Sequence, residues 1–510
     1  MKPSPKFSVY LAAILLLGLV TPAQAAPLAQ SHQTSPELWF STGALTNNGE
    51  QLVALLKDPS SLGFQQLSSP ALSSEHMSNI SLERQFKELV LALGQGRTKA
   101  DKANEWHIPK EDFSVSALLD RLRRGDTLTA VINSISPSSA EYSKLLRAFQ
   151  HYQSIQRNGG WPLLADSDRI LRPGERHVDI QVLRNRLRVE GDFAGGMQAD
   201  PFFYGPALVA AVRQYQSRHG LLADGVLDRQ TRYALRIPAS DRLQQIEVNL
   251  ERWRWMPSSL EQRRLWVNTA GAFAQLIDDG HVQLQLRAIA GRPYRATPSL
   301  VSSVSKLVVN PYWGVPHRIA VDDLLPLQKK NRHFFAQKNI RVFSNRNGHS
   351  TEVNSNSIDW SALSAKNFPY RLRQDPGEQN SMGRIKFVFA NDFNVFLHDT
   401  PNKVLFELPN RNFSSGCVRI EDPFELANAV LANNPHKLET LEQLSRSGNS
   451  RSQTLKLEQS LPIYLVYMTA WHDDQGLLHF TADHYGRDNM IAKRLPDRQT
   501  SQLAATQTDL

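Results

Sequence analysis

The sequence predicts a multidomain α+β protein: a helical region, then a module of three short helices, then a mainly β domain interrupted by a loop-rich insert. Three observations carry that expectation. Between residues 81 and 162, apolar side chains recur every three or four positions, as at Leu82, Phe86, Leu89, Val90 and Leu93, the period of a helix with one buried face. Between 163 and 240 the stripes become short and are separated by Gly and Asp-Gly punctuation. From Ile246 onward, strand-like segments such as 282–289, 306–309, 385–389 and 393–398 alternate with Asn, Asp, Gly and Pro clusters. A length of 510 residues agrees with such a division, because ~100–200 residues per domain is usual.

At the N-terminus, Lys2 and Lys6, an apolar run over 7–20 and the small residues Ala23 and Ala25 predict a secretory signal over 1–25, cut after Ala25. The run is shorter than the ~20 residues that span a bilayer and nothing later resembles a span, so the processed chain is not expected to be an integral membrane protein. Hydrophobic residues make up 41%, enough for ordinary cores. The formal net charge of +9 suits an anionic surface, but the basic residues are dispersed among acids without a long run, which argues against nucleic acid as a partner.

Residues 26–80, rich in Ser, Thr, Pro, Asn and Gln, read as a tether. Within 81–162, Ser138 and Glu141 predict a capping box, Tyr142, Leu145, Leu146, Phe149, Tyr152 and Ile155 a buried face, and Gly159-Gly160 a stop. Within 163–240, Val178, Val182, Leu183, Leu187 and Val189 mark one helix ended by Gly191-Asp192. Pro206 opens a second, and Asp228 with Thr231 starts a third after the Asp224-Gly225 turn. The β domain is assigned to 246–490, with Leu265-Trp266-Val267 opening it and 464–471 as its late strand. Its largest interruption, 311–373, is loop-rich and of a length that usually has a job, such as a lid. Composition becomes tail-like after Asp488, and 491–510 is assigned as a tail.

Cys417 is the single cysteine of the chain, so it forms no internal disulfide and is either a small buried hydrophobe or a reactive thiol. Gly416 before it lets backbone amides crowd close, and Ser414-Ser415 marks a turn. Residues 385–389 and 393–397 alternate around an Asn391-Asp392 turn, which predicts a hairpin placing His398 on the face of Phe396 and Asn394. Asp422-Pro423 with Glu425 starts a helix behind the thiol. An imidazole beside a thiol acts as base or ion-pair partner and needs an acceptor for its other nitrogen, for which the Asp399 carbonyl is a candidate. The amides of Ser415, Gly416 and Cys417 are candidate oxyanion donors, and Arg419 could fix a substrate carboxylate or buttress the loop. His and Cys at the close spacing of a zinc site are absent, and no cofactor is expected.

His398-Asp399-Thr400 followed by Ser415-Gly416-Cys417-Val418-Arg419 resembles the signature of L,D-transpeptidases, and Gln374 to Gly377, Asn380, Gly383 and Lys386-Phe387 look like that family's approach loop and strand. Gly205-Pro206, Tyr215-Gln216, Gly220-Leu221, Asp224-Gly225 and Thr231 resemble a peptidoglycan-binding module. The insert opening Asn310-Pro311-Tyr312-Trp313, the Ser-Ser-Gly-Cys run and the 464–471 strand are similar to the large periplasmic subfamily typified by YcbB. The resemblance implies a periplasmic enzyme without metal or organic cofactor, with Cys417 as nucleophile and His398 as general base and acid. It gives Ser415, Gly416 and Asp399 oxyanion or orienting roles, and gives Arg419, Thr400, Asn380, Trp313 and Tyr312 contact with substrate. The implied reaction joins a tetrapeptide donor stem, through a thioester, to the diaminopimelate amine of an acceptor stem. The implied partners are those peptidoglycan stem peptides and, among proteins, wall synthases. With another acceptor the same nucleophile makes an L,D-carboxypeptidase, a D-amino acid exchanger or a lipoprotein-attachment enzyme; a non-catalytic wall-binding scaffold is the reading from another class. Ser415 stands where many relatives carry His, so no auxiliary histidine role carries over.

Overall fold

The computed structural model describes residues 37–67, 78–195, 200–346, 349–446 and 451–495. The predicted signal over 1–25 lies outside them, as does the tail beyond 495. Helices Asn47–Lys57, Asn79–Gln95, Val115–Arg123 and Leu128–Ile135 each start at a hydroxyl cap, Thr46, Ser78, Ser114 and Thr127, that accepts the amide three residues on. Their apolar stripes bury Leu52, Phe86, Leu93, Leu119 and Val131 around Trp39 and Phe64. This corrects the tether expected over 26–80, since residues 38–64 belong to a packed unit. A few large side chains do that packing, Trp39 and Phe64 at 1% and 0% exposure, within a stretch whose average composition is polar. Asn79 Oδ1 also accepts the amides of Trp39 and Phe40, at 3.1 and 2.9 Å.

The helix predicted from Ser138 runs Ala140–Arg157 and is capped by Ser139, one residue later than expected. Its buried face joins a second core with the helix Ala239–Arg254, Trp266 and Tyr464, so the predicted boundary at 162 separates residues that pack together. Three further helices, Val178–Glu190, Pro206–Arg218 and Arg229–Leu235, enclose their own core. Gln216 fixes their turn: its Nε2 donates to the Val226 carbonyl at 2.9 Å and its Oε1 accepts the Gly225 amide at 2.8 Å. Val178 and Val189, expected on the buried stripe, are 62% and 38% exposed; Ile180 takes the inward position. The helix Ala239–Arg254 runs through the expected gap between 240 and 246 and is buried almost throughout, charged residues included. Glu247 pairs with Arg97 at 2.7 Å and Arg252 with Asp488 at 2.6 Å, so this helix is tied at once to the N-terminal helices and to the C-terminal segment.

The β domain is built on a sheet in the order Ile385–Phe389, Leu397–His398, Val418–Ile420, His281–Gly291, Phe273–Asp278, Arg264–Asn268, Gln453–Val466, Ser299–Val309. Ile385–Phe389 pairs also with Ser299–Val309, so the path closes on itself as a barrel. Alternation fills its interior with Leu276, Leu307, Phe387, Leu397, Val418 and Ile463, and the helix Pro423–Leu431 adds Leu426. The expected hairpin is shorter than predicted: only Leu397–His398 pairs back, and Asn391 shapes 390–396 into a loop by bonding the Phe389 and Val395 carbonyls at 3.1 and 2.9 Å. The expected late strand divides, Gln453–Val466 ending before Ala470–His472 pairs with Leu478–Phe480. The start of the expected tail is the helix Arg487–Arg494, held by buried Arg487 and Ile491. The insert is not loop-rich. Its four-stranded sheet, including Trp313–Gly314 and Tyr370–Gln374, packs short helices on a core of Phe335, Val342, Trp360, Phe368 and Leu372. No helix among the described residues is long and apolar enough to cross a membrane.

Candidate active site

Strand register gathers the reactive side chains. Leu397 lies opposite Val418 and His398 opposite Arg419 in a parallel pair, while Lys386 lies opposite His398 in the antiparallel neighbour. Phe387, Leu397 and Val418 point into the barrel, each 0% exposed, so Lys386, His398 and Arg419 point out of it on a common face. Cys417 stands two positions before Arg419, immediately ahead of the strand Val418–Ile420, and the charges of Lys386 and Arg419 act on it as they do on His398. It is half-buried, and its Sγ donates to the Asn394 carbonyl at 3.7 Å.

His398 is 4% exposed, and its Nδ1 donates to the Asp399 carbonyl, the acceptor expected from the sequence. Burial pushes the imidazole down to about 3, the Arg419 guanidinium and Lys386 ammonium pushing the same way against bonds to the Asp399 and Met382 backbones. The ring is therefore neutral in the neutral pH range, with its proton on Nδ1 and its lone pair on Nε2. Burial also pushes the Cys417 thiol up, while a bond from the Phe396 backbone and the charges of Lys386 and Arg419 pull it down. Lys386 is positioned by the Phe396 ring, its Nζ 3.4 Å from the centroid.

The segment carrying the thiol is held from the 291–297 turn. Arg292 N donates to the Ser414 carbonyl at 3.0 Å, Thr297 Oγ1 to the Gly416 carbonyl at 2.9 Å, and Arg295 Nη1 to Ser415 Oγ at 2.9 Å. Gly416 has φ +115°, where a side chain is strained, and its amide donates to Ser414 Oγ at 3.1 Å. That bond corrects the expectation that the Gly416 amide is an open oxyanion donor. Asn380 is corrected too: 1% exposed, it bonds the Pro311 and Asp375 carbonyls and the Met382 amide, and so pins the root of the insert. Thr400 is buried and accepts the Asn402 amide at 3.3 Å, which shapes its loop. The Asp399 carboxylate accepts from the Arg384 amide at 2.8 Å and from Lys403 at 2.7 Å, closing the turn in which Gly383 leaves no room for a Cβ. Trp313 pairs with Gln374 in the insert sheet, and Tyr312 lies under the Arg373 guanidinium at 4.7 Å. Both belong to the root of the insert. The sequence reading missed Lys386 as a charge facing the thiol, and it missed Thr297 and Arg295, which no local motif connects to the cysteine.

Family models match three stretches of this chain. Residues 262–438 match the family described as YkuD, L,D-transpeptidase catalytic domain. Residues 176–235 match the "Putative peptidoglycan binding domain", and 31–149 the scaffold domain. A "Putative L,D-transpeptidase" of Haemophilus influenzae is 33% identical over 252 residues, 49% of this chain and 50% of that protein. The chain thus spans about half the length of that curated relative. Among solved structures, an L,D-transpeptidase from Xylanimonas cellulosilytica aligns at 15% identity over 59% of this chain and 100% of its own, with a TM-score of 0.18. An Enterococcus faecium L,D-transpeptidase mutant aligns at 11% identity over 45% of this chain and 64% of its own, with a TM-score of 0.16. The chain carries an L,D-transpeptidase catalytic domain preceded by a peptidoglycan-binding domain.

Proposed function

We propose that this L,D-transpeptidase domain forms direct diaminopimelate–diaminopimelate cross-links in peptidoglycan through a thioester on Cys417. The observation that carries the reading is that Cys417, one residue before the barrel strand Val418–Ile420, and His398 on the neighbouring strand both meet the charges of Lys386 and Arg419. Sulfur attacks the carbonyl between diaminopimelate and the terminal D-Ala of a tetrapeptide stem as the thiol proton passes to His398 Nε2. The C–N bond then breaks, the proton goes to the departing D-Ala amine, and a thioester remains. The side-chain amine of a second stem attacks the thioester, losing a proton through His398, and the thiol is restored. The amides of Ser415 and Cys417 serve the oxyanion, and Lys386 with Arg419 supplies positive charge for the thiolate and for a substrate carboxylate. Such work belongs in the periplasm, with stem peptides as substrates and wall synthases as protein partners.

Mass spectrometry of purified muropeptides incubated with the enzyme tests the reading. Cross-linked dimers with released D-Ala are expected. Trimmed tripeptides alone would make it an L,D-carboxypeptidase, and incorporation of added D-amino acid an exchanger. A pH prediction follows from the neutral pair. A base is lost when protonated, and His398 protonates only near about 3. Acylation is therefore expected to hold its rate from pH 7 to about 5, where an ordinary histidine titrating near 6.5 would lose roughly twentyfold. Rapid-mixing acylation rates across roughly pH 4 to 8 check this, and an acid limb centred near 6.5 contradicts it.

A further inference from the structure

We propose that Arg295 is a positioning residue that latches the insert onto the loop carrying Cys417, so that Asp323 of the insert governs the geometry of the thiol through Ser415. The proposal rests on the reading of Cys417 as nucleophile. Arg295 ends the turn Pro293–Arg295 between the barrel strands His281–Gly291 and Ser299–Val309, and its side chain is 6% exposed. One end of its guanidinium reaches Ser415 Oγ at 2.9 Å. The same group grips the Asp323 carboxylate with both terminal nitrogens, Nη2 to Oδ1 at 3.1 Å, and reaches Asp322 at 3.4 Å. A two-pronged grip of this kind fixes orientation as well as distance, which a lysine could not do.

Both acids lie on the π-helical segment Ala320–Leu324 of the insert, a form of helix that recurs at functional sites. The insert is rooted elsewhere by Trp313–Gly314, Tyr370–Gln374 and Asn380, so the Arg295 contact is a second, separate tether. It acts where the thiol loop is most exacting, since Ser415 precedes the left-handed Gly416 and then Cys417. The turn that carries Arg295 also holds Ser414 and Gly416 through Arg292 and Thr297. Displacing Asp323 would leave the buried guanidinium seeking another partner and would loosen its hold on Ser415. Placement of the insert is thereby coupled to alignment of the sulfur.

A double-mutant cycle tests the latch in the full chain, because Asp323 and Ser415 communicate through Arg295. The rate of Cys417 acylation by a carbapenem, followed by intact mass, is expected to fall about tenfold in Asp323→Asn and about tenfold in Ser415→Ala. Asp323→Asn/Ser415→Ala and Arg295→Met should each also fall about tenfold, since every change cuts one link. Alkylation by iodoacetamide, which needs only an accessible thiol, should stay within about twofold of wild type in all of them. A roughly hundredfold loss in the double variant, or wild-type acylation in both Asp323→Asn and Arg295→Met, overturns the latch. A parallel fall in alkylation also overturns it, because the loop would then have collapsed rather than shifted. Failure of the underlying reading looks different: wild-type protein acylated somewhere other than Cys417.

Discussion

Cys417→Ala is expected to lose covalent capture of a carbapenem altogether and to reduce transfer from tetrapeptide donors by on the order of 10⁴-fold or more. In the proposed mechanism the whole reaction passes through one sulfur, and the chain contains no second cysteine to substitute. The folded protein should tolerate the change. Its thiol makes a long contact, 3.7 Å to the Asn394 carbonyl, and meets the Phe396 backbone, whereas the loop is held by Arg292, Thr297 and Ser414. A change of less than about 1 kcal/mol in unfolding free energy is expected. Intact mass after carbapenem incubation, together with urea unfolding, checks both halves. A variant that still acquires the carbapenem mass would falsify the thioester mechanism.

Glu190→Ala carries the largest expected loss of stability, about 3–5 kcal/mol. The Glu190 side chain is 0% exposed between Arg186, with which it makes a close ion pair, and Arg218 at 2.9 Å, and it accepts the Tyr152 hydroxyl at 2.7 Å. Burial alone would raise this carboxyl, but the Arg218 and Arg186 guanidiniums overcome it and hold the group well below the usual carboxylate range. Alanine leaves Arg186 buried with no carboxylate and removes the hydroxyl's partner. The effect also reaches beyond the module, because Tyr152 belongs to the helix Ala140–Arg157 of the neighbouring core. The sign with pH is fixed. A depressed carboxyl gives its full stabilisation above the unfolded value of ~4.3 and loses it as pH falls toward the folded value. Urea unfolding of both proteins should therefore differ most near neutrality and converge in acid; equal stability at pH 7 would refute the assignment.

What was legible in the sequence followed the range of the interactions. The Asp399 carbonyl is predictable as the partner of His398 because it is the adjacent residue on a strand end. The placement of His398 near Cys417 follows from a motif spanning a single strand pair. Arg295 acts on Ser415 from 120 positions away, and nothing in Gly291-Arg292-Pro293-Tyr294-Arg295 signals that partner. Gly416 was open to misreading because the competing acceptor for its amide is a hydroxyl two residues back, a choice only the turn's geometry makes. Residues 38–64 and the insert defeat composition for a common reason. Their cores combine widely spaced aromatic residues, Trp39 and Phe64 in one and Phe335, Trp360 and Phe368 in the other, with scattered aliphatic ones, separated by polar neighbours. Asn380 shows the opposite hazard, a polar residue in a recognisable motif whose hydrogen-bonding capacity is consumed within the fold.

The buried helix Ala239–Arg254 makes the protein a ruler. A module on a flexible linker samples distances that grow with linker length, and its local concentration of captured strand falls accordingly. Here the chain passes from the module's last helix into a helix packed on every side, with Arg218 bonded to Leu478 and His219 stacked on Phe480 across the junction. Under the proposed function, a wall strand gripped by the module would meet the sulfur at one fixed offset, so the spacing of the stems to be joined would be written into the fold.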